Sequence, residues 1–248
     1  SKSFGSSAAD IDSVFSSKIR SIPLLDEMGR LMGVAEPNGS EIAIGQHRIA
    51  EDQPAFVIAE IGNNHQGSLA LAKELVQKSV EAGADCVKFQ MRNMASVYRK
   101  KSLAKQGEDL GTEYVLDLLE RFQLSYSEHK QVAQYCKNKG VLYMCTPWDS
   151  DSIVALEALD VKAYKVASAD LTNLPLIEKL IATKKPIILS TGMSSTVEIQ
   201  ITTDFLNARS AEFVLLHCNS TYPAPFHDIN LNWINKLKNI HPLVGYSG

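Results

Sequence analysis

The sequence predicts an α/β protein of the (β/α)8, TIM-type class, incomplete after about its seventh strand, with an N-terminal hairpin and extension ahead of the barrel. Three observations carry this. Seven short, nearly all-apolar runs recur between residues 55 and 247, and a helical segment follows each of the first six, which is the grammar of a parallel sheet covered by helices. Polar residues gather where those runs end, as barrel active sites require. The rival doubly wound sheet lacks its glycine-rich dinucleotide loop, because Gly62-Asn63-Asn64-His65-Gln66-Gly67 has the wrong spacing.

The elements follow in order. Residues 1–40 read as an extension, small and polar over 3–10, then two apolar runs over 19–34 around an acidic, glycine-containing turn, which is hairpin chemistry. Residues 41–248 form the barrel. They begin with a hairpin over 41–49 that alternates about Gly45. Strand one spans 55–60, and the helix over 68–82 presents Leu69, Ala72, Leu75, Val76 and Val80 as one stripe, ended by Gly83. Strand two spans 86–90, and helical segments follow over 112–122 and 127–139, the second with Ser127 as N-cap and Gly140 as its stop. Strands three to seven fall at 141–146, 163–167, 186–190, 212–217 and 243–247. The intervening helices fall at 151–159, 174–183, 196–208 and 230–239. The eighth strand and the last helices are expected beyond Gly248, and the edges this leaves would be adhesive.

Composition narrows the function. Hydrophobic residues make up 45% and charged residues 21% of 248, enough for a large core, and a net charge of −3 offers no footprint for nucleic acid. No apolar stretch approaches membrane-spanning length and no signal peptide is legible. Cys86, Cys136, Cys145 and Cys218 include no CxxC pair, so they read as reduced thiols of a cytoplasmic protein.

The strand ends supply the candidate site. Glu60, Asn63, Asn64 and His65 end strand one; Lys88 and Gln90 share a face of strand two; Thr146 ends strand three. Lys165, Ser168 and Asp170 lie at strand four, Ser190 at strand five, His217, Ser220 and Tyr222 at strand six and Ser247 at strand seven. A lysine within an apolar strand is costly to bury. Lys88 and Lys165 at equivalent depth therefore point to a small, multiply charged anion, phosphate first, or else each pairs with a carboxylate as a layer of the barrel. His65 reads as a substrate contact or a cap for the following helix, and His217 as a core histidine or a ligand. His47, His129, His227 and His241 read as surface or loop residues.

Six segments in order resemble the sialic acid (N-acetylneuraminate) synthase family. They are Ile58-Ala59-Glu60-Ile61-Gly62-Asn63-Asn64-His65-Gln66-Gly67-Ser68, residues 82–90 ending Val87-Lys88-Phe89-Gln90, Cys145-Thr146-Pro147-Trp148, Tyr164-Lys165-Val166-Ala167-Ser168-Ala169-Asp170, Ile188-Leu189-Ser190-Thr191-Gly192-Met193, and Leu215-Leu216-His217-Cys218 with Tyr222-Pro223. The resemblance implies a barrel binding phosphoenolpyruvate at its mouth through Lys88, Thr146, Lys165, Ser168 and Ser190. It places Asp170 beside the reacting carbons, and Glu60, Gln90, Ser220 and Tyr222 around an N-acetylated amino sugar. Departures are Asp170 where many relatives carry Glu, Ser220 where Asn is common, and alanines flanking Ser168 in place of glycines. The family's two metal-binding histidines, for Mn²⁺ or Mg²⁺, are expected beyond Gly248, with no metal ligand in this chain. The family's C-terminal antifreeze-like domain, which reaches across a homodimer, is expected there too, so this chain alone is expected to be nearly inactive. Residues 19–34 also resemble the closing strands of a CBS module.

The implied reaction is carbon–carbon bond formation. C3 of phosphoenolpyruvate attacks the aldehyde of an N-acetylmannosamine-type sugar, water adds at C2 and phosphate leaves, giving a nonulosonic acid. Lys88 and Lys165 would stabilise the anion and Asp170 would handle the proton of the water. The rivals are a legionaminic- or pseudaminic-type synthase, a 3-deoxy-sugar-phosphate synthase, a non-catalytic phosphoenolpyruvate- or sugar-binding barrel, and an aldolase using Lys165 as a Schiff-base nucleophile.

Overall fold

A computed structural model of the chain describes residues 2–3, 22–35, 41–97, 112–221 and 223–248. Near the N-terminus β1 (Lys2–Ser3) runs parallel to β2 (Ile22–Leu25), which pairs antiparallel with β3 (Leu31–Ala35), so the hairpin read from sequence is present. Its turn is tied by Asp26, whose Oδ1 accepts from Met28 N at 2.9 Å and Arg30 N at 2.8 Å. A second hairpin, β4 (Ile42–Ile44) and β5 (His47–Ile49), turns at Gly45 as the alternation requires.

Seven parallel strands follow: β6 (Ile58–Gly62), β7 (Cys86–Met91), β8 (Leu142–Pro147), β9 (Tyr164–Val166), β10 (Ile187–Ser190), β11 (Phe213–Cys218) and β12 (Val244–Ser247). Each pairs with its neighbours in sequence, giving the order β12-β11-β10-β9-β8-β7-β6. Consecutive parallel neighbours need a crossover each time, which the helices supply. These are α1 (Leu69–Glu81), the short α2 (Met94–Val97), α3 (Thr112–Arg121), α4 (Tyr126–Lys139), α5 (Ser150–Glu157), α6 (Leu174–Ala182), α7 (Thr196–Asn207) and α8 (Trp233–Lys238). The edge strands β6 and β12 do not pair, yet Ile58 and Glu60 from one line the same cavity as Val244 and Ser247 from the other. The sheet therefore curls into a barrel open along one seam.

Strand alternation divides the apolar residues into two cores. Val87, Phe89, Tyr143, Cys145, Tyr164, Val166, Leu189 and Leu215 face outward and join the helices in the larger one. Cys86, Met144, Ala163, Ile188, Val214 and Leu216 form the inner core with Ile42 and Ile44, so the β4–β5 hairpin plugs the end of the barrel where the strands begin. The inward positions thus run from apolar at the plugged end to Lys88, Thr146, Lys165 and Ser190 at the other. That gradient leaves the ionisable groups at the mouth.

The structure moves several boundaries. The cap of α4 is Ser125, not Ser127: Ser125 and Glu128 make a reciprocal capping box, with Ser125 N donating to Glu128 Oε2 at 2.8 Å. The S-x-x-E spacing satisfies two backbone donors, which a cap at Ser127 would not. The last helix starts at Trp233 rather than near Asn230, whose φ of 50° is incompatible with a right-handed helix. His129 is buried, not on the surface, with its Nδ1 2.8 Å from the Tyr143 hydroxyl. His241 is half-buried, stacked on Phe213 with Nε2 2.8 Å from the Phe213 carbonyl oxygen. His241 thus lies in a loop as expected, whereas His129 sits on the buried face of α4, where polarity alone misplaces a ring with one satisfied nitrogen.

Candidate active site

A cavity of about 630 Å³ occupies the barrel interior. It is lined by Ile44, Ile188 and Val214 and by Glu60, Lys88, Lys165 and Ser247, and it extends along the open seam past Phe56, Lys238 and Pro242. Both predicted lysines therefore face one space, and both are 6% exposed. Their partners differ. Lys88 makes a close ion pair with Glu60 and donates to Thr146 Oγ1 at 3.2 Å. Lys165 donates to the Val166 carbonyl at 2.8 Å and to Ser190 Oγ, both neutral acceptors. One lysine thus pairs with a carboxylate and the other does not. Burial, reinforced by the charge of Lys88, pulls the Lys165 ammonium down to about 7, and Cys218 and Glu60 offset this only in part.

A second group forms where β9, β10 and β11 end. Ser168 Oγ accepts from Gly192 N at 3.2 Å and sits 3.2 Å from Cys218 Sγ. Gly192 permits this convergence: a Cβ there would lie 2.7 Å from both the Cys218 carbonyl oxygen and Ser220 Oγ. Ser220 and Ser168 thus both lie beside Gly192.

At the other rim, Gly62 (φ 52°) lets two site residues converge, since a Cβ on it would meet Glu60 Oε1 at 3.1 Å and Gln90 Nε2 at 3.4 Å. The Gln90 carbonyl oxygen is held by the Arg92 guanidinium, which leaves Nε2 toward Glu60. Arg92 is itself buried and stacks over Trp148, 4.7 Å to the ring centre. Arg92, Trp148 and Cys218 escaped the sequence reading. A cation two residues beyond Gln90 on the same strand face was the available signal for Arg92.

Other candidates are not brought onto the cavity. Asp170 ends a 3-10 turn, Ser168–Asp170; its Oδ1 accepts from Asn173 Nδ2 at 3.0 Å, while Oδ2 is buried without a partner among the described residues. Asn64 is exposed on the loop after β6, and Tyr222 lies outside the described residues. His65 serves the loop before α1: its Nδ1 accepts from Gly67 N at 3.1 Å, and burial pushes its pKa down. His217 is a satisfied histidine with Nε2 2.6 Å from the Ile229 carbonyl oxygen. It points to a separate cavity of about 540 Å³ with Asp228, Asn230 and Lys236, on the side of β11 opposite Leu216. Among the described residues no three His, Cys, Asp or Glu side chains gather to hold a metal, and no helix is long and apolar enough to cross a membrane. The cysteines are free, and Cys86, Cys136 and Cys145 are buried.

Residues 75–248 match the model of the NeuB family. The chain belongs to that family. It is 37% identical over 199 residues to the N,N'-diacetyllegionaminic acid synthase of Campylobacter jejuni, covering 77% of this chain and 60% of the relative. It is 31% identical over 209 residues to the human N-acetylneuraminate-9-phosphate synthase, covering 82% of this chain and 56% of the relative. The crystal structure of a sialic acid synthetase from Leptospira borgpetersenii superposes with a TM-score of 0.76 at 29% identity, over 84% of this chain and 70% of that one. The chain thus spans about three fifths of the length of the curated relatives it matches. The family resemblance read from the strand ends is confirmed, and the shared fold with the synthetase agrees with a barrel rather than a doubly wound sheet.

Proposed function

We propose that this NeuB-family barrel holds phosphoenolpyruvate for condensation with an N-acetylmannosamine-type sugar, forming a nonulosonic acid and releasing phosphate. The observation that carries the reading is the convergence of Lys88 and Lys165, both buried, on one cavity. Buried cations favour the multiply charged anion and draw off charge as the carbon–oxygen bond to phosphate breaks. Thr146 and Ser190 fix the two ammonium groups, so the anion meets donors already in place. Gln90, oriented by Arg92, and Glu60 would meet the sugar, with Ser220 and Ser247 as further contacts. Asp170, which does not line the cavity, is the proposed handler of the water proton on the family resemblance alone; an Asp170→Asn protein with full turnover overturns that role.

The divalent metal that the resemblance implies, Mn²⁺ or Mg²⁺, would polarise the sugar aldehyde. The described residues offer no donor set for it, and every step above rests on side chains of this chain. A homodimeric assembly in the cytoplasm is part of the same proposal. The relationship to a legionaminic acid synthase keeps a diacetamido sugar as the alternative acceptor. The test is phosphate release from phosphoenolpyruvate by the full-length protein, with Mn²⁺ and a panel of N-acetylated amino sugars. Release that requires N-acetylmannosamine or its phosphate supports the reading, and release only with a diacetamido sugar changes the acceptor. Phosphoenolpyruvate binding without release overturns the condensation.

A further inference from the structure

We propose that Lys165 is a nucleophilic amine that forms a reversible Schiff base with a small α-keto acid bound in the barrel cavity. The proposal rests on the reading of that cavity as an anion site, but not on the condensation itself. It starts from the unequal partners of the two lysines. Glu60 is committed to Lys88, and Thr146 completes the shell of that ammonium. Lys165 has a backbone carbonyl and a serine hydroxyl, and no carboxylate lies within ion-pair distance of it among the described residues. Neither acceptor carries a charge, so the cost of burying the ammonium is not offset by an ion pair.

The charged groups facing Lys165 oppose one another, with the repulsion ahead. Lys88 on β7 repels a proton; Glu60 on β6 and Cys218 on β11 attract one more weakly; Ser190 on β10 and Thr146 on β8 bring no charge. With the amine near 7, a large fraction carries a free lone pair at neutral pH. A desolvated lysine beside a second cation is the arrangement that makes amines reactive toward carbonyls. The ligand class follows from the neighbours. The Lys88 ammonium attracts a carboxylate, and a ketone adjacent to that carboxylate is delivered to Lys165.

The step balances without a further reagent. The Nζ lone pair forms the C–N bond as the carbonyl π pair moves to oxygen. Both amine protons then leave with that oxygen as water, and the C=N bond remains. The proposed synthase product is itself an α-keto acid, so the same bond would retain product until water reverses it.

The test treats the protein with pyruvate and cyanoborohydride at neutral pH and maps the modified peptides. N-(1-carboxyethyl)lysine is expected at residue 165 well before exposed Lys130, with a rate that rises to a plateau as pH passes about 7. Inorganic phosphate should suppress it, and Lys165→Arg, which keeps the charge without the nucleophile, should abolish it. Absence of the modification, or labelling no faster than at Lys130, overturns the proposal. Phosphate binding measured by calorimetry on the same sample separates the two readings. Binding without labelling removes only the Schiff base, and neither removes the anion site as well.

Discussion

Replacing Lys165 by Met should stabilise the fold at neutral pH while destroying the anion site. The folded ammonium titrates near 7, against about 10.4 for an unperturbed lysine, a difference of roughly 3.4 units or about 4–5 kcal/mol. The unfolded chain binds the extra proton between those values, so stability contributed by this residue rises with pH across that window. Below pH 7 the penalty is complete; approaching pH 10.4 it vanishes. Methionine fills a similar volume but leaves Val166 O and Ser190 Oγ without their donor, which returns roughly 1–2 kcal/mol. The net expectation is a gain of about 2–3 kcal/mol at pH 7 that turns into a small loss near pH 10. Urea unfolding of both proteins at the two pH values measures it, and phosphate should raise the midpoint of the parent but not of the variant. A variant less stable at pH 7, or a difference independent of pH, would refute the argument that Lys165 is a buried, poorly compensated cation.

Three further outcomes follow from local geometry. Burial holds the His129 imidazole down to about 4, so its stabilising neutrality is full above the unfolded value near 6.5 and is lost as pH falls toward 4. That is up to about 3 kcal/mol, and His129→Gln should flatten the acid limb of a stability–pH curve. Ser125→Ala removes the hydroxyl half of the α4 capping box, leaving the Ser125 backbone N–H on Glu128, and should cost about 1 kcal/mol by thermal or urea unfolding. Arg92→Met frees the Gln90 amide to rotate, and on the proposed function should raise the KM for the sugar about tenfold, roughly 1.4 kcal/mol, with the KM for phosphoenolpyruvate little changed. Equal changes in both constants would place Arg92 outside the sugar side.

Much of this architecture was legible from spacing. Each buried parallel strand must be apolar on both faces, so runs such as Ile187–Ser190 and Phe213–Cys218 stand out without any partner being known. The polar residues closing those runs located Lys88, Thr146, Lys165 and Ser190, and the structure joins them by hydrogen bonds across the mouth. The reading failed where a side chain's surroundings come from distant segments. Tyr143 takes in His129, a partner that no local window reveals.

What the sequence by itself determined is the strand–helix order, the inward face of each strand and the identity of the groups at the mouth, because these follow from local periodicity. Only the tertiary structure decided how the ionisable groups divide. It gave Glu60 to Lys88 and neutral acceptors to Lys165, clamped Gln90 with Arg92, and buried one oxygen of Asp170 without a partner among the described residues. The reason is physical: the charge state and reactivity of a buried group depend on what replaces its water, and those replacements come from strands far apart in the chain.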